Sequence, residues 1–409
     1  MKILHISTMD FGGAGISALR LHKGLLKNGI DSKVLVLVKS SNVKNIFKFE
    51  EKNKIDKDIE ELNQIKENHN RLIGRIFKGE GLFTDCYSIF DLRNNSFVQK
   101  ADIINLRWVS NFLDFSSFFP SVKGKPIVWR LSDMNPFTGG CHFAGNCLKY
   151  REKCNDCPQL GGDVNNIWKC KQKAYDGQNM HIVAPSNWLG DCVKNSKLFK
   201  DFPVHIIQNG LDINIFNKKD KKYCRKLLNL PLDKIIILFG AQNANDLRKG
   251  GKYFIEALEN LGSSVDKSKI VLAVFGENSN KFNSFFPVYS LGKIREESML
   301  VLCYNAADIF VNPSLAESFG QTTIESMACG IPVVAFNTGP MPKIIKKNTG
   351  LLARYKDSKD LAKQIQWMIG HPKEREKMGV NARKIVEEKY TLDIQARKYI
   401  ELYKNLLKK

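Results

Sequence analysis

Glu317 and Glu325 enclose the segment Ser318-Phe319-Gly320-Gln321-Thr322-Thr323-Ile324. The apolar run Asp308–Pro313 precedes it and the run Ile331–Phe336 follows it, which reads as strand, loop, helix, strand. On that reading Glu317 lies on a loop at a strand's carboxyl end, and Glu325 lies about two turns into the helix. In an open α/β sheet, ligands bind beyond the carboxyl ends of the strands, and a helix N-terminus there offers free N–H groups to an anion. Each carboxylate can accept from two hydroxyl donors. The plainer reading is two ordinary surface carboxylates. Their placement favours a polyhydroxylated ligand, such as a sugar and a ribose, beside an anion.

Arg248-Lys249-Gly250 supplies cations of the opposite sign. The trio follows the apolar run Ile235–Phe239 and opens a helical pattern near Gly251. Cations at a helix N-terminus are unfavourable unless an anion sits there. A phosphate bound by Lys249 and the helix amides would resolve that conflict. Gly320 lets the backbone of Ser318, Phe319 and Gly320 approach a ligand closely, with Gln321 opening the helix. Leu291-Gly292-Lys293-Ile294 is a second glycine turn, suited equally to backbone contact with a flat base and to ordinary turning.

A third cluster is built of thiols. Ten cysteines are present, and Cys141, Cys147, Cys154 and Cys157 give the pattern C-x5-C-x6-C-x2-C. Cys154-Asn155-Asp156-Cys157 has the shape of a metal knuckle, and a reducing compartment disfavours disulfides, so the spacing predicts a structural zinc on four thiolates. His142 could replace one ligand. A redox pair at Cys154 and Cys157, or packed reduced thiols, are the other readings.

These groups need strands and helices to hold them. Ile3–Ser7 reads as a buried strand, Phe11-Gly12-Gly13-Ala14-Gly15 as a glycine turn, Ile16–Asn28 as a helix and Lys33–Val38 as the next strand, a β-loop-α-β unit of the kind that opens nucleotide-binding sheets. Residues 41–100 are rich in Lys, Glu and Asn and read as exposed helices and loop. Ala101–Leu106, Pro126–Leu131, His181–Ala184 and Val204–Gln208 read as further strands. The stretch Gly139–Leu160 reads as irregular, and Asn209-Gly210 as an inter-domain turn. A second α/β series begins at Ile235–Gly240 and continues through Ile270–Gly276, Asp308–Pro313 and Pro332–Phe336. Lys373–Lys409 reads as charged and helical. Two α/β halves imply two sheets facing a cleft.

At 409 residues, 43% hydrophobic and 26% charged, the chain is an ordinary globular composition long enough for more than one domain. No apolar stretch approaches the ~20 residues of a membrane-spanning helix, and the N-terminal residues lack a signal-peptide pattern, so a cytoplasmic location is expected. The net charge of +21 is spread over both halves. It suggests an anionic partner such as a membrane leaflet or a diphosphate-linked substrate, or else simply a lysine-rich solvated surface. Aromatics do not interleave with the lysines in one patch, which argues against nucleic acid.

The chain resembles a known family. Asn312 through Gly320, followed by Ile324 through Val334, is similar to the glutamate-x7-glutamate signature of the family 4 glycosyltransferases. The Gly12-Gly13 loop, Val183 through Trp188, Asn209 through Asp212, Arg248-Lys249-Gly250 and Ala306-Ala307-Asp308 also match. Asp133 through His142 resembles a bacterial branch that builds surface polysaccharides. The resemblance implies a GT-B α/β fold of two Rossmann-like domains around a central cleft. Residues 1–210 would bind the acceptor and carry the cysteine-rich insertion 139–160. Residues 211–388 would bind a nucleotide-sugar, and a C-terminal helix in 389–409 would pack back on the first domain. It implies a retaining transfer with Glu317, Lys249 and Arg248 as catalytic residues. Gly13, Lys249, Ile294, Glu317, Ser318, Phe319, Gly320, Gln321 and Glu325 would bind the donor, with Glu325 on the ribose. Asp133 and Ser132 would face the acceptor. No cofactor is required for catalysis, and the leaving phosphate itself can take the acceptor proton. Two departures matter: Ala241 stands where many relatives carry a second cation, and Ser132 stands where many carry histidine.

The expected activity is transfer of a sugar from a nucleotide-diphosphate sugar to a hydroxyl of a glycan or lipid-linked glycan, at or near an anionic membrane face. The rivals are a nucleotide-sugar epimerase of the same architecture and a zinc-knuckle nucleic-acid-binding protein.

Overall fold

The computed structural model describes residues 1–50, 82–262 and 265–408. The chain divides into two compact units: Met1–Gln208 with Gln395–Lys409, and Asn209–Ile394.

The first unit is built on β1 (Lys2–Met9), β2 (Asp31–Val38), β3 (Ile46–Lys48), β4 (Ile103–Leu106), β5 (Ile127–Arg130), β6 (Met180–Ala184) and β7 (Val204–Ile206). They form a seven-stranded sheet in the order β3-β2-β1-β4-β5-β6-β7, parallel at every pairing. Alternate residues enter opposite apolar layers. Ile104, Ile127, Trp129 and Ile182 join one cluster, and Ile103, Val128 and Val183 join another. A parallel strand buried on both faces must be apolar throughout, which is why these segments stand out as unbroken runs. Tyr399, Leu402, Tyr403 and Leu406 of the last helix, Leu392–Leu407, complete the second layer over Ile3, Leu21 and Leu25.

The helix Gly12–Lys27 starts hard against β1. A Cβ on Gly15 would meet the Asp10 carbonyl carbon at 2.6 Å and the Met9 oxygen at 2.8 Å, so only glycine permits that approach. Gly13 faces open space.

The second unit repeats the plan with β8 (Ile235–Asn243), β9 (Ile270–Glu277), β10 (Val288–Gly292), β11 (Ile309–Asn312), β12 (Val333–Phe336) and β13 (Gly350–Ala353). The order is β10-β9-β8-β11-β12-β13, again parallel. Ile236, Leu238, Phe310 and Val333 pack on one face, and Ile237, Phe239, Ile309 and Val334 on the other. Asp308, at the start of β11, anchors this sheet. It accepts from Arg225 Nη2 at 2.7 Å, Lys221 Nζ at 2.6 Å and the Ile236 N–H at 2.8 Å.

Several segments differ from their sequence reading. Within 41–100, β3 pairs with β2, and Phe49, Phe83, Cys86, Leu92 and Val98 are buried. The polar composition there hides scattered core positions, and the part at 51–81 lies outside the described residues. Gly139–Leu160 is irregular as read, apart from one short turn of helix at Lys149–Arg151, but it is not without core positions: Cys141, Ala144, Tyr150 and Cys154 join the first unit's core. The helical run from Lys373 is two helices, Pro372–Lys389 and Leu392–Leu407. Asn209-Gly210 leads into a bridge, not a tight turn. The Leu211 N–H donates to Tyr390 O and the Leu392 N–H to Leu211 O, each at 3.0 Å.

Candidate functional site

At the carboxyl edge of β11, two distant loops are zipped together. The Leu315 N–H donates to the Arg248 carbonyl at 2.7 Å. Gly250 has φ +69° and lies so close to β11's exit that a Cβ would meet the Pro313 oxygen at 1.9 Å. Any other residue at 250 would push the cation loop away. This contact brings Lys249 Nζ to 2.5 Å from Glu317 Oε1, across 68 positions of sequence. Ser314 Oγ donates to the same oxygen at 3.1 Å. Arg248 reaches the Ala316 carbonyl at 3.0 Å and Asp246 Oδ2 at 3.1 Å. The anions that offset the two cations ahead of the helix Gly251–Leu261 are therefore the chain's own carboxylates, Glu317 and Asp246.

The electrostatics follow from burial and pairing. Burial pushes the Glu317 carboxyl up, but the Lys249 ammonium and then Arg248 outweigh it, and the net value lies below the usual carboxylate range. Burial lowers Lys249, and Glu317 opposes that only in part.

Glu325 is buried on the helix Gln321–Ala328, which starts at Gly320 with φ +87°. Its Oε2 accepts from the Tyr304 hydroxyl at 3.0 Å. Burial, then Glu325, pushes the Tyr304 phenol well above its ordinary value. Phe319 turns its ring into the core against Tyr390, centroids 5.8 Å apart, so only its backbone is left for a ligand. Ser318 and Gln321 stay partly exposed at the loop and the helix start. Ile294 follows β10 and packs on the apolar layer, while neighbouring Lys293 pairs with Glu277. Ala241 is buried in β8.

Gly13, Ser132 and Asp133 belong to the first unit. Asp133 lies just beyond β5 and is buried. Its Oδ2 faces His142 Nδ1 at 2.6 Å and accepts from Trp108 Nε1 at 3.1 Å, and its Oδ1 accepts from the Asn135 N–H at 2.9 Å. Burial raises the Asp133 carboxyl, but His142 beside it and these donors bring it below the usual range. His142 Nε2 faces Thr84 Oγ1 at 2.9 Å, so both ring nitrogens point away from the cysteines. Ser132 Oγ accepts from Arg130 Nη1 at 2.8 Å.

Cys141, Cys147, Cys154 and Cys157 line one cavity of about 20 Å³ with Lys149, Asn155 and Gln159. All are free thiols. Among the described residues, no group of three or more His, Cys, Asp or Glu side chains is already disposed to hold a metal ion.

Sequence reasoning missed Ser314, Tyr304, Trp108 and Thr84. A tyrosine inside the apolar helix Glu297–Ala306 was the one available signal, since a buried phenol needs a polar partner.

Residues 220–385 match the family described as Glycosyl transferases group 1. A capsular polysaccharide biosynthesis glycosyltransferase of Staphylococcus aureus is 27% identical over 241 residues, 56% of this chain and 62% of that one. An uncharacterized glycosyltransferase of Methanocaldococcus jannaschii is 29% identical over 345 residues, 77% and 87% of the two chains. Among solved structures, Anabaena HepE in complex with UDP-glucose superposes with TM-score 0.68 at 16% identity, covering 99% of this chain and 100% of its own. The architecture is thus that of the GT-B glycosyltransferases, with two parallel Rossmann-like sheets. The match lies within the second unit, and the family it matches is one of glycosyltransferase enzymes. The epimerase and nucleic-acid readings are not favoured.

Proposed function

We propose that this chain, whose residues 220–385 match the glycosyl transferases group 1, is a retaining transferase. It moves a sugar from a nucleotide-diphosphate sugar to an acceptor hydroxyl in the assembly of a bacterial surface polysaccharide. The observation that carries the reading is the Lys249–Glu317 pair, closed at 2.5 Å at the carboxyl edge of β11.

In this proposal the pair exchanges partners. An arriving diphosphate takes over Lys249, with Arg248 behind it. Glu317 is then released to accept hydroxyls of the transferred sugar. Glu325, oriented by Tyr304, accepts from the ribose, and Ile294 flanks the base. Lys249 and Arg248 stabilise charge building on the leaving diphosphate, which is where preorganised electrostatics has its largest effect on rate. The acceptor is assigned to the first unit, near Asp133 and Ser132, where no histidine precedes the aspartate. The capsular relative and the UDP-glucose complex support the polysaccharide role and the donor class.

The test is turnover on a panel of nucleotide-sugars, read as nucleoside diphosphate released in proportion to added acceptor. Consumption of the nucleotide-sugar without acceptor, beyond slow hydrolysis, would point to an epimerase instead.

Two further parts of the proposal concern surroundings. No helix among the described residues is long and apolar enough to cross a membrane, and the net charge is +21. The protein is proposed to bind anionic lipid reversibly at the cytoplasmic face. Co-sedimentation with phosphatidylglycerol vesicles should then fall as salt rises. The four thiols around the small cavity are proposed to close on a structural zinc. Elemental analysis under reducing conditions should find about one ion per chain, and zinc-free protein would leave four packed thiols.

A further inference from the structure

Of the five tryptophans, Trp129, Trp168, Trp188 and Trp367 take part in the hydrophobic clusters. Among the described residues Trp108 belongs to none of them, and it is half-buried. It stands on the residues leaving β4, beside β1, where the strand order of the first sheet reverses. That reversal is where open α/β sheets bind ligands.

Trp108 is held on two sides. Its carbonyl accepts from the Thr8 N–H at 2.7 Å, and Thr8 Oγ1 donates to the Ser110 carbonyl at 2.7 Å. Its indole N–H donates to Asp133 Oδ2 at 3.1 Å. Asp133 is fixed in turn by His142, and His142 by Thr84, whose hydroxyl also accepts from Asn135 Nδ2 at 3.1 Å. A buried carboxylate and a buried imidazole thus set the angle of one ring that, among the described residues, joins no apolar cluster and meets the His142 ring at 5.9 Å between centroids. Core packing does not call for such an arrangement. A binding platform does, because a preset ring loses little freedom when a ligand lands on it.

The geometry points to Trp108 as a stacking platform for a pyranose ring of the acceptor. An aromatic face attracts the C–H bonds on the apolar face of a pyranose, and the indole is the largest such surface among side chains. The ligand class is therefore a glycan, not a bare lipid phosphate. This rests on the transferase reading above, which assigns the nucleotide to the second unit and leaves the ring in the first unit for the acceptor.

The experiment uses the full-length chain and saturation-transfer NMR with methyl β-D-galactopyranoside and methyl α-D-glucopyranoside. Uridine and the open-chain sorbitol serve as comparison ligands. Wild type should transfer magnetisation to the pyranoside ring C–H protons. Trp108→Ala and Trp108→Leu should weaken binding roughly three- to tenfold, the range expected of one ring contact. Trp108→Phe, which keeps a ring but gives up the indole N–H that sets its angle, should bind between Trp108→Leu and wild type. Melting curves identify any variant that fails to fold, and the Phe-against-Leu contrast then decides. Equal binding by Trp108→Leu and wild type, no pyranoside signal in wild type, or transfer to uridine alone would overturn the platform. UDP and GDP titrations of the same proteins separate the two readings. Nucleotide binding that persists in Trp108→Leu isolates the platform. A wild type that binds pyranoside but neither nucleotide would sink the donor assignment while the platform stands.

Discussion

The carboxyl edges of the two sheets are built from the same β-loop-α plan and hold their polar groups in opposite ways. At the second sheet, Lys249 and Glu317 face each other as full charges, with side chains 17% and 10% exposed. Arg248 and Asp246 form a second pair beside them at 3.1 Å. At the first sheet, Asp133 is bound to an imidazole, an indole and an amide, and the imidazole continues to Thr84. Charge pairs can exchange one partner for an incoming charge at little net loss. A chain of directional hydrogen bonds cannot, because each lost bond strands a buried group. The second edge is suited to binding and releasing an anion, and the first to keeping a surface in one orientation.

The largest effect should come from breaking the second edge. Glu317→Ala and Glu325→Ala each remove a carboxylate whose charge-assisted hydrogen bonds are worth about 1.5–3 kcal/mol. Turnover should fall roughly ten- to a hundredfold in each, with the melting point of the first unit unchanged. Wild-type rates in both variants would remove these glutamates from the site.

How much of this contrast was legible in the sequence follows from where the residues lie. Glu317, Gly320 and Glu325 sit within one strand-loop-helix passage, and Arg248-Lys249-Gly250 opens another. Local punctuation therefore exposed both halves of the second edge. Their meeting at 2.5 Å was not legible, since it depends on Gly250 lying against Pro313. The first edge is assembled from Thr84, Trp108 and the pair Asp133 and His142, which arrive from three separate loops, and only the last pair sat in a recognisable motif. His142 was read with the cysteines because Cys141 adjoins it. In the fold, adjacent side chains on an extended segment point to opposite sides. The sheets themselves were legible as apolar runs, except β3, β10 and β13. The first two are short edge strands, partly exposed, in polar surroundings.

A smaller effect should come from the first edge. Asp133→Ala strands the Trp108 N–H, the Asn135 N–H and His142, at about 1–3 kcal/mol of stability. Asp133→Asn should cost less. The sign with pH is fixed by the depressed Asp133 value. Its stabilisation is complete above the unfolded carboxyl value of about 3.9 and is lost as pH falls through the lower folded value. Wild type should therefore lose stability below about pH 4, and Asp133→Asn should lack that part of the acid limb. Chemical denaturation across that range measures it. An identical acid limb in Asp133→Asn would mean that the carboxylate does not hold this edge.

The smallest effect, and the sharpest for partner exchange, concerns Lys249. Lys249→Ala should weaken nucleoside diphosphate binding roughly tenfold and leave the nucleoside nearly unaffected, because the lost cation faces phosphate. The variant also strands Glu317. With burial left opposed mainly by Arg248, the Glu317 carboxyl rises from its depressed value. As an anion it would repel the diphosphate, and once protonated it would not. Diphosphate affinity of Lys249→Ala should therefore recover partly as pH falls, a recovery absent from wild type, where Lys249 holds the Glu317 carboxyl below its usual range. Adding Glu317→Gln to Lys249→Ala should abolish the pH dependence. Calorimetry on the three proteins across a pH series reads this directly. A flat profile in Lys249→Ala would mean that Glu317 and the diphosphate do not compete for the same ammonium, and the exchange mechanism would fail even if both glutamates prove essential.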